Sequence, residues 1–539
     1  MLRDELTYRI MQEFHFQPTE GQRSVIDVFT RFMTDRPSSS NAHPPMLPVM
    51  ILRGSAGTGK TSLAGAIVRT LKALNQHVIL LAPTGRAAKV FTLYAGHAAF
   101  TIHRKIYRQK ALMGEFTLNM NGHQDTLFMV DEASMIAESN ANTPFGSGRL
   151  LDDLVEYVYN GRNCRLILIG DRAQLPPVGE NESPALSGDY LSSYGLKVYE
   201  CDLNEVLRQS QQSGILWNAT KIRESVGMWE RRNRNGFDSV ESGNTDLAPS
   251  FSPLSSLPRI NLNFPDIRVV PGDELVETLT SSYSKVGMDE TMVVTRSNKR
   301  ANIYNQGIRN MILGREDELT RGDQLMVVKN NYSLTPSPSP RGEGSGQSSQ
   351  MSTQMANVYT SISLRRGAGG EASMSEAFIA NGDMCVVQRV RNVRELYGFR
   401  FADVTLQFPD YDNSEQTIAV ILDTLTTEAP ALTREQHTQL FERVMEDYAY
   451  ITRKQERMQK LKTDPHYNAL QVKYGYAVTC HKAQGGQWAH VYIDQGFMTD
   501  DMLNSDYIRW LYTAFTRATE CLYLVNWPPS QIESASMVK

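Results

Sequence analysis

The residues with the clearest chemistry are Gly54-Ser55-Ala56-Gly57-Thr58-Gly59-Lys60-Thr61, spaced G-x-x-x-x-G-K-T. Backbone of this spacing turns its N–H groups inward around phosphate oxygens, and the helix that follows adds the partial positive charge of its first turn. Lys60 can reach the outer phosphates of a nucleoside triphosphate, and the Thr61 hydroxyl can hold Mg2+. The surroundings fit that role. The apolar run Val49-Met50-Ile51-Leu52 precedes the loop, and Leu63, Ile67, Thr70, Leu71 and Leu74 recur on one helical face after it.

Other chemistry-bearing residues stand at the ends of apolar runs. Asp131-Glu132 follow Leu127–Val130. One carboxylate there can hold Mg2+ directly or through water, while the other orients or deprotonates an attacking water. Gln174 lies in the segment Gly170–Pro177. Beside a γ-phosphate its hydrogen bonds would change when triphosphate becomes diphosphate, and the two prolines stiffen the segment that carries the change. Arg208 and Arg517 are arginines of the kind that stabilise transition-state charge, an effect worth about 10³-fold or more. Such a group is domain-gated only if it reaches across a cleft, so Arg517, far along the chain, is the expected finger. Thr479 and His481 follow a strand and open a helix, which suits a phosphodiester backbone. Gln22 carries an amide that both donates and accepts, as reading an adenine edge requires.

The elements that must position these groups read as alternating strand and helix. Val78–Ala82, Leu127–Val130 and Cys164–Ile169 are apolar without polar alternation, as expected of parallel strands covered on both faces. Ligands in such sheets sit at the strand carboxyl ends. Phe116–Gln124 contains Asn121-Gly122 after alternating apolar residues, a hairpin signal. Residues 229–258 read as a linker, and Met292–Thr295 opens a second α/β unit that closes with Tyr476–Thr479, His490–Asp494 and Cys521–Val525. Gln324–Val328, Met384–Val387, Val404–Phe408 and Ile418–Leu422 read as a small β-barrel inserted into that unit. The insert 333–375, rich in Ser, Pro and Gly, cannot bury a core. Residues 433–462 read as one long charged helix.

At 539 residues the chain is too long for one core. Its five cysteines lack C-x-x-C spacing, which argues for a reduced, cytoplasmic chain without structural zinc. With 55 basic and 59 acidic residues, any nucleic acid must bind in a local groove and not over a basic coat. No apolar run is long enough to span a membrane, so a membrane partner is not expected.

Taken in order, Gln22, GSAGTGKT (54–61), APTGRAAK (82–89), TIH (101–103), DEAS (131–134), GDRAQLPPVG (170–179), EVLRQ (205–209), TCHKAQG (479–485) and YTAFTRA (512–518) resemble the motif set of superfamily 1 helicases. They are most similar to the 5′→3′ branch, the RecD-like and Dda-like enzymes. The resemblance spans about residues 18–527 and implies an α/β fold. Two RecA-like P-loop NTPase domains would carry a small hairpin insertion and an SH3-like β insertion. The implied division is 1–228 for the N-terminal helices and first RecA-like domain (hairpin about 104–126), then the linker 229–258. The second RecA-like domain would be 259–330 with 466–539, and the SH3-like insertion 331–465.

By that resemblance Gln22 and Gly54–Thr61 (Gly54, Ser55, Ala56, Gly57, Thr58, Gly59, Lys60, Thr61) bind ATP, and Thr61 and Asp131 hold Mg2+. Asp131, Glu132, Gln174, Arg208 and Arg517 complete the catalytic site. Thr84, His103, Thr479 and His481 match positions that contact the single strand. The implied function is an ATP-dependent DNA helicase or translocase on single-stranded and fork DNA, acting as a monomeric motor with possible partners in repair, recombination or replication. The alternative is a DNA-stimulated ATPase that switches or translocates without unwinding. Gly486-Gln487-Trp488 departs from the family's usual small hydroxyl and aromatic ending.

Overall fold

The structure, a computed structural model, describes residues 2–14, 17–35, 46–109, 116–138, 147–205, 213–241, 258–329, 379, 381–411, 413–499 and 502–533. The chain begins with helices α1 (Leu2–Glu13) and α2 (Glu20–Thr34). Thr19 and Gln22 form a reciprocal capping box at the start of α2, which satisfies two N–H groups the helix cannot pair internally. Strands β1 (Leu47–Gly54), β2 (His77–Ala82) and β3 (Ala99–Thr101) then alternate with α3 (Lys60–Ala73) and α4 (Gly85–Ala95). After α5 (Ile102–Ile106) come β4 (Tyr107–Gln109), β5 (Phe116–Leu118), β6 (Thr126–Val130), α6 (Leu150–Tyr159), β7 (Arg165–Gly170), α7 (Gly188–Ser193), β8 (Leu196–Leu203) and α8 (Gly214–Glu241).

Six of these strands make one parallel sheet in the order β3-β2-β6-β7-β1-β8. Helix α3 and the N-terminal pair cover one face, where Ile26, Phe29, Leu63, Ile67 and Leu71 are buried with Met50 and Leu80. Helix α6 covers the other, packing Leu151, Leu154 and Val158 against Val49, Phe128 and Leu168. Burial on both faces accounts for the unbroken apolar runs. The edge strand β8 alternates in burial and carries Glu200 and Asp202, which hold the buried Arg53 of β1 at 2.9 and 2.7 Å.

Strand β4 pairs antiparallel with β5, so a hairpin lies inside 104–126. Asn121-Gly122 is not its tip. Asn121 instead donates to the carbonyls of Tyr157 and Val158 at the end of α6, and the turn itself falls outside the described residues.

The second half contains β9 (Ile267–Val270), α9 (Leu275–Lys285), β10 (Thr291–Thr295) and α10 (Asn298–Gly307). Five strands follow: β11 (Gln324–Val327), β12 (Met384–Leu396), β13 (Phe399–Phe408), β14 (Ser414–Ile421) and, after helices α11 (Arg434–Asp447) and α12 (Lys454–Thr463), β15 (Leu470–Tyr474). These five close into a barrel. The chain returns through β16 (Ala477–Thr479), α13 (Cys480–Ala483), β17 (Trp488–Asp494), α14 (Ser505–Phe515) and β18 (Ala518–Val525) to complete a second parallel sheet, β16-β10-β17-β18-β9. The molecule is thus two parallel α/β units, with the barrel interrupting the second.

Three details differ from the sequence reading. Residues 433–462 form two helices, because Ile451 turns into the core and Arg457 takes the carbonyls of Ala449 and Ile451 at the break. Strands β11 and β15 belong to the barrel, so the barrel extends into both 259–330 and 466–539. Helix α8 runs to Glu241, into the span read as a linker, and its Ile215, Ala219, Ile222 and Val226 pack with Tyr507, Ile508 and Leu511 of α14. Where β11 leaves the second sheet, buried Arg309 pairs with fully buried Asp323 at 3.0 Å, and Arg315 reaches the same carboxylate at 2.8 Å. Such a pair fixes register more than it stabilises, since replacing it by apolar groups is often neutral while removing one partner costs about 3–5 kcal/mol.

Candidate functional site

Two polar clusters lie at strand carboxyl ends. The first is built on the loop between β1 and α3. Gly57 and Gly59 take φ of 77° and 79°, a left-handed conformation open to glycine, so successive N–H groups can face inward. A Cβ on Gly54 would meet Leu203 Cβ at 2.9 Å and Lys60 Cγ at 3.0 Å, so the cradle admits only glycine there. Lys60 Nζ folds back onto the loop carbonyls of Gly54 at 2.5 Å and Ser55 at 2.9 Å. These are bonds a phosphate oxygen would outcompete, because it brings full negative charge.

Gln22 also lies at this loop, but its amide is engaged with the chain. Nε2 donates to Thr58 O at 3.0 Å, Oε1 accepts from Thr19 N–H at 3.0 Å, and the side chain is 1% exposed. Each polar atom of the amide spends one bond in this way, which leaves the amide a second donor and a second lone pair. These two bonds tie α2 to the phosphate loop through Gln22.

Asp131 and Glu132 follow β6 directly, and Glu132 has a left-handed backbone (φ 51°, ψ 37°), a strained placement for a non-glycine residue. Desolvation, and then the neighbouring Glu132, push the Asp131 carboxyl up to about 7, while Lys60 opposes the shift. Two acids beside a lysine, with one held partly protonated, form a donor set short of positive charge, which a divalent cation would supply. Thr61, at the start of α3, is the hydroxyl nearest in sequence to that lysine.

Gln174 is 7% exposed and its Oε1 has no partner among the described residues; the same holds for Ser134 Oγ. Both line one pocket with Asp171, Ser183 and, from α14 across the domain boundary, Arg509. Arg509 is 7% exposed and donates to Asn181 O at 2.9 Å. Among the described residues it is a second-domain arginine lining the pocket of the first-domain sensor segment, and it stands eight positions before Arg517, which lies past the end of α14.

Arg517 itself is 3% exposed, and its guanidinium donates to Thr513 O, Thr516 Oγ1 and Gly486 O at 3.0, 3.0 and 3.1 Å. Its three bonds all stay inside the second domain, where they fix the end of α14 to the 484–488 segment. Arg509, by contrast, lines the pocket that holds Gln174 and Asp171. Arg509 lies within α14, whereas Arg517 lies two residues past its end, so the two side chains are directed independently. Arg208 lies outside the described residues.

The sensor segment is gripped across the boundary. Leu175 N–H donates to Thr513 Oγ1 at 2.8 Å, Gln484 Nε2 donates to Leu175 O at 2.7 Å, and Tyr512 Oη donates to Asp171 Oδ2 at 2.5 Å.

The second cluster lies at the carboxyl ends of β10 and β16. Thr479, Asn298, Asn302, Asn305, Lys473 and Lys482 line a pocket there. Lys482 Nζ is buried with no partner among the described residues, and burial, then Lys473, pull its ammonium down to about 8. Lys473 is likewise pulled down to about 8 by burial. His481 is exposed on α13. Thr84 caps α4, accepting from Ala87 N–H at 3.2 Å, and a Cβ on Gly485 would sit 3.3 Å from the Thr84 hydroxyl. Thr84 and the Thr479–Gly485 segment thus meet across the two domains, joined further by Arg86, which stacks on Trp488 at 4.4 Å and donates to Gln487 O at 2.8 Å. His103 is half-buried on α5, with desolvation lowering its imidazole to about 4, so it is neutral at working pH. Lys473 and Lys482 were missed from sequence because neither stands in a pattern that marks a buried cation.

Among the described residues no helix is long and apolar enough to cross a membrane. The class defined by these sites is a two-domain α/β protein with a phosphate loop facing the domain boundary. Comparison with known proteins sharpens it. Residues 46–227 match the family described as AAA domain, and 474–525 match the UvrD-like helicase C-terminal domain. The chain is 31% identical over 287 residues to the ATP-dependent RecD2 DNA helicase of Deinococcus radiodurans, covering 53% of this chain and 34% of that protein. It is 25% identical over 284 residues to the ATP-dependent DNA helicase dda of Enterobacteria phage T4, covering 52% and 56%. It thus spans about a third and about half of the length of these two relatives. A solved Pif1 helicase from Bacteroides, in complex with ADP-AlF3 and single-stranded DNA, aligns over 97% of this chain and 95% of that chain at 14% identity, with a TM-score of 0.43. The chain is similar to superfamily 1 helicases of the RecD-like and Dda-like branch, as its ordered motifs indicated.

Proposed function

We propose that the protein is an ATP-dependent DNA helicase that moves along single-stranded DNA in the 5′→3′ direction. The observation that carries this reading is the boundary between the two α/β domains. A phosphate loop and paired acids lie on one side, Arg509 and Tyr512 on the other, and the sensor residue Gln174 between them.

ATP supplies the phosphoanhydride whose hydrolysis drives the cycle. Lys60 exchanges its loop carbonyls for phosphate oxygens and Glu132 orients the attacking water, while Thr61 and Asp131 would hold Mg2+, which would neutralise charge on the phosphate oxygens. Arg509 stabilises the charge that develops in the transition state. The Gln174 amide has a free acceptor to redirect when the phosphate chain shortens, and Leu175 passes that shift to Thr513 and Gln484 through bonds already in place. The strand lies along Thr84, Thr479 and Lys482, gripped through its phosphates and not its base edges. We read the barrel as SH3-like and the β4–β5 hairpin as the strand-separating element. DNA repair, recombination or replication would be the setting.

Hydrolysis of ATP by the wild-type chain should require Lys60 and rise with single-stranded DNA. A fork substrate with a 5′ tail should open, and one with only a 3′ tail should not. Normal turnover in Lys60→Ala would overturn the nucleotide assignment. DNA-stimulated hydrolysis without fork opening would leave the alternative, a translocating or switching ATPase that does not unwind.

A further inference from the structure

Two side chains from the second-domain side rest on consecutive residues of the phosphate loop. Arg223, on α8, donates through Nη1 to Ser55 Oγ at 2.5 Å and to Asn204 Oδ1 at 3.2 Å. Tyr512, on α14, accepts from Ala56 N–H at 2.9 Å while donating to Asp171. Helices α8 and α14 share one buried core, which packs the elements carrying the two side chains together. Arg223 is half-exposed and pairs with no carboxylate among the described residues, which leaves its charge available at the loop. Tyr512 is 1% exposed, and its surroundings hold its phenol protonated, so its direction of donation to Asp171 is settled.

The chemistry of the two contacts is parallel. In each, a weak neutral oxygen accepts a bond that a phosphate oxygen would accept more strongly: the Ser55 hydroxyl from Arg223, and the Tyr512 hydroxyl from Ala56 N–H. We propose that Arg223 and Tyr512 form a clasp on the phosphate loop that the phosphate chain of a bound nucleotide takes over, with Arg223 becoming a phosphate ligand and Tyr512 a positioning residue released from the loop. Phosphate entry then gains a guanidinium and frees α14 from Ala56, so loop occupancy is conveyed to the second domain through the α8–α14 pair. The Tyr512–Asp171 bond survives the exchange and keeps α14 registered on the sensor segment. This inference rests on the proposed nucleotide site.

The two residues are expected to respond with opposite signs in nucleotide binding, which a merely structural role would not produce. With the full chain and a non-hydrolysable ATP analogue, Arg223→Gln should weaken binding about tenfold, the size of one lost charge-assisted bond. Arg223→Lys should recover part of that loss. Tyr512→Phe keeps the ring and removes a competitor for Ala56 N–H, so the analogue should bind as tightly as to wild type or somewhat more tightly. Its hydrolysis stimulated by oligothymidylate should nevertheless fall about tenfold, because the link to α14 is gone. Wild-type affinity in Arg223→Gln, or weakened binding in Tyr512→Phe, would overturn the clasp. A wild-type chain that binds no nucleotide would instead overturn the site on which the clasp rests.

Discussion

The carboxyl ends of the two sheets place their cations differently. In the first, the phosphate loop turns upon itself: Lys60 bonds two loop carbonyls, Arg223 bonds Ser55, and Tyr512 takes an N–H. In the second, Lys482 Nζ is buried with no partner among the described residues and Lys473 stands near enough to depress it further. A loop rich in backbone groups can bond its own lysine, whereas a buried ammonium is favoured by a counter-charge. On the proposed function, the first arrangement suits a site that exchanges its partners and the second one that keeps an anion. That is the division expected between a nucleotide cleft and a polymer track.

The comparison breaks most severely at Arg509. Arg509→Ala should lower ATP turnover about 10³-fold, the range seen when a cleft-crossing arginine is lost. Its effect on single-strand affinity should be far smaller, and steady-state hydrolysis beside a strand-binding titration measures both. Arg517→Ala should instead unfasten the end of α14 and appear first as a lower melting temperature. If Arg517→Ala abolished turnover in a chain of normal stability while Arg509→Ala did not, the assignment of the two arginines would reverse.

Lys482 is the matching test on the other side. Lys482→Ala should weaken binding of oligothymidylate about tenfold and flatten its salt dependence by roughly one phosphate contact. An unchanged salt slope would remove Lys482 from the track. Because its ammonium is already held near 8, strand binding should also weaken as pH rises through that value, and the variant should show a shallower dependence, the remainder coming from Lys473.

What could be read from the sequence follows from how local each site is. The phosphate loop, Asp131-Glu132 and Gln174 lie in contiguous segments at strand ends, so their types and spacing sufficed. Strands β1, β2, β6, β7 and β10 were legible because burial on both faces leaves an apolar run. Strand β8 was not, since an edge strand with Lys197, Glu200 and Asp202 does not read as core. Arg223, Tyr512 and Lys473 were illegible for another reason. Each acquires its role from a partner more than a hundred residues away, or from burial that no local pattern declares. Gln22 and Arg517 show the converse: a motif position marks that a residue matters, but the direction of its side chain is decided by packing, and here both face the chain itself.

The smallest effect concerns Asp131, and its sign is specific. Its carboxyl is raised to about 7 in the folded chain, against an ordinary value of 3.8. Below about 3.8 both folded and unfolded chains hold the proton, and the contribution to stability is fully present. Between the two values the folded chain keeps a proton that the unfolded chain has released, so stability falls as pH rises and levels off above about 7. Without divalent cation, the wild-type melting temperature should therefore drop relative to Asp131→Asn between about pH 5 and about pH 8, by roughly 2 °C. Mg2+ competes with that proton, so its stabilising effect should grow over the same interval and be absent in the variant. Parallel pH profiles for the two proteins would mean that Asp131 ionises normally. The first cluster would then lack the deficit of positive charge on which a cation site there depends.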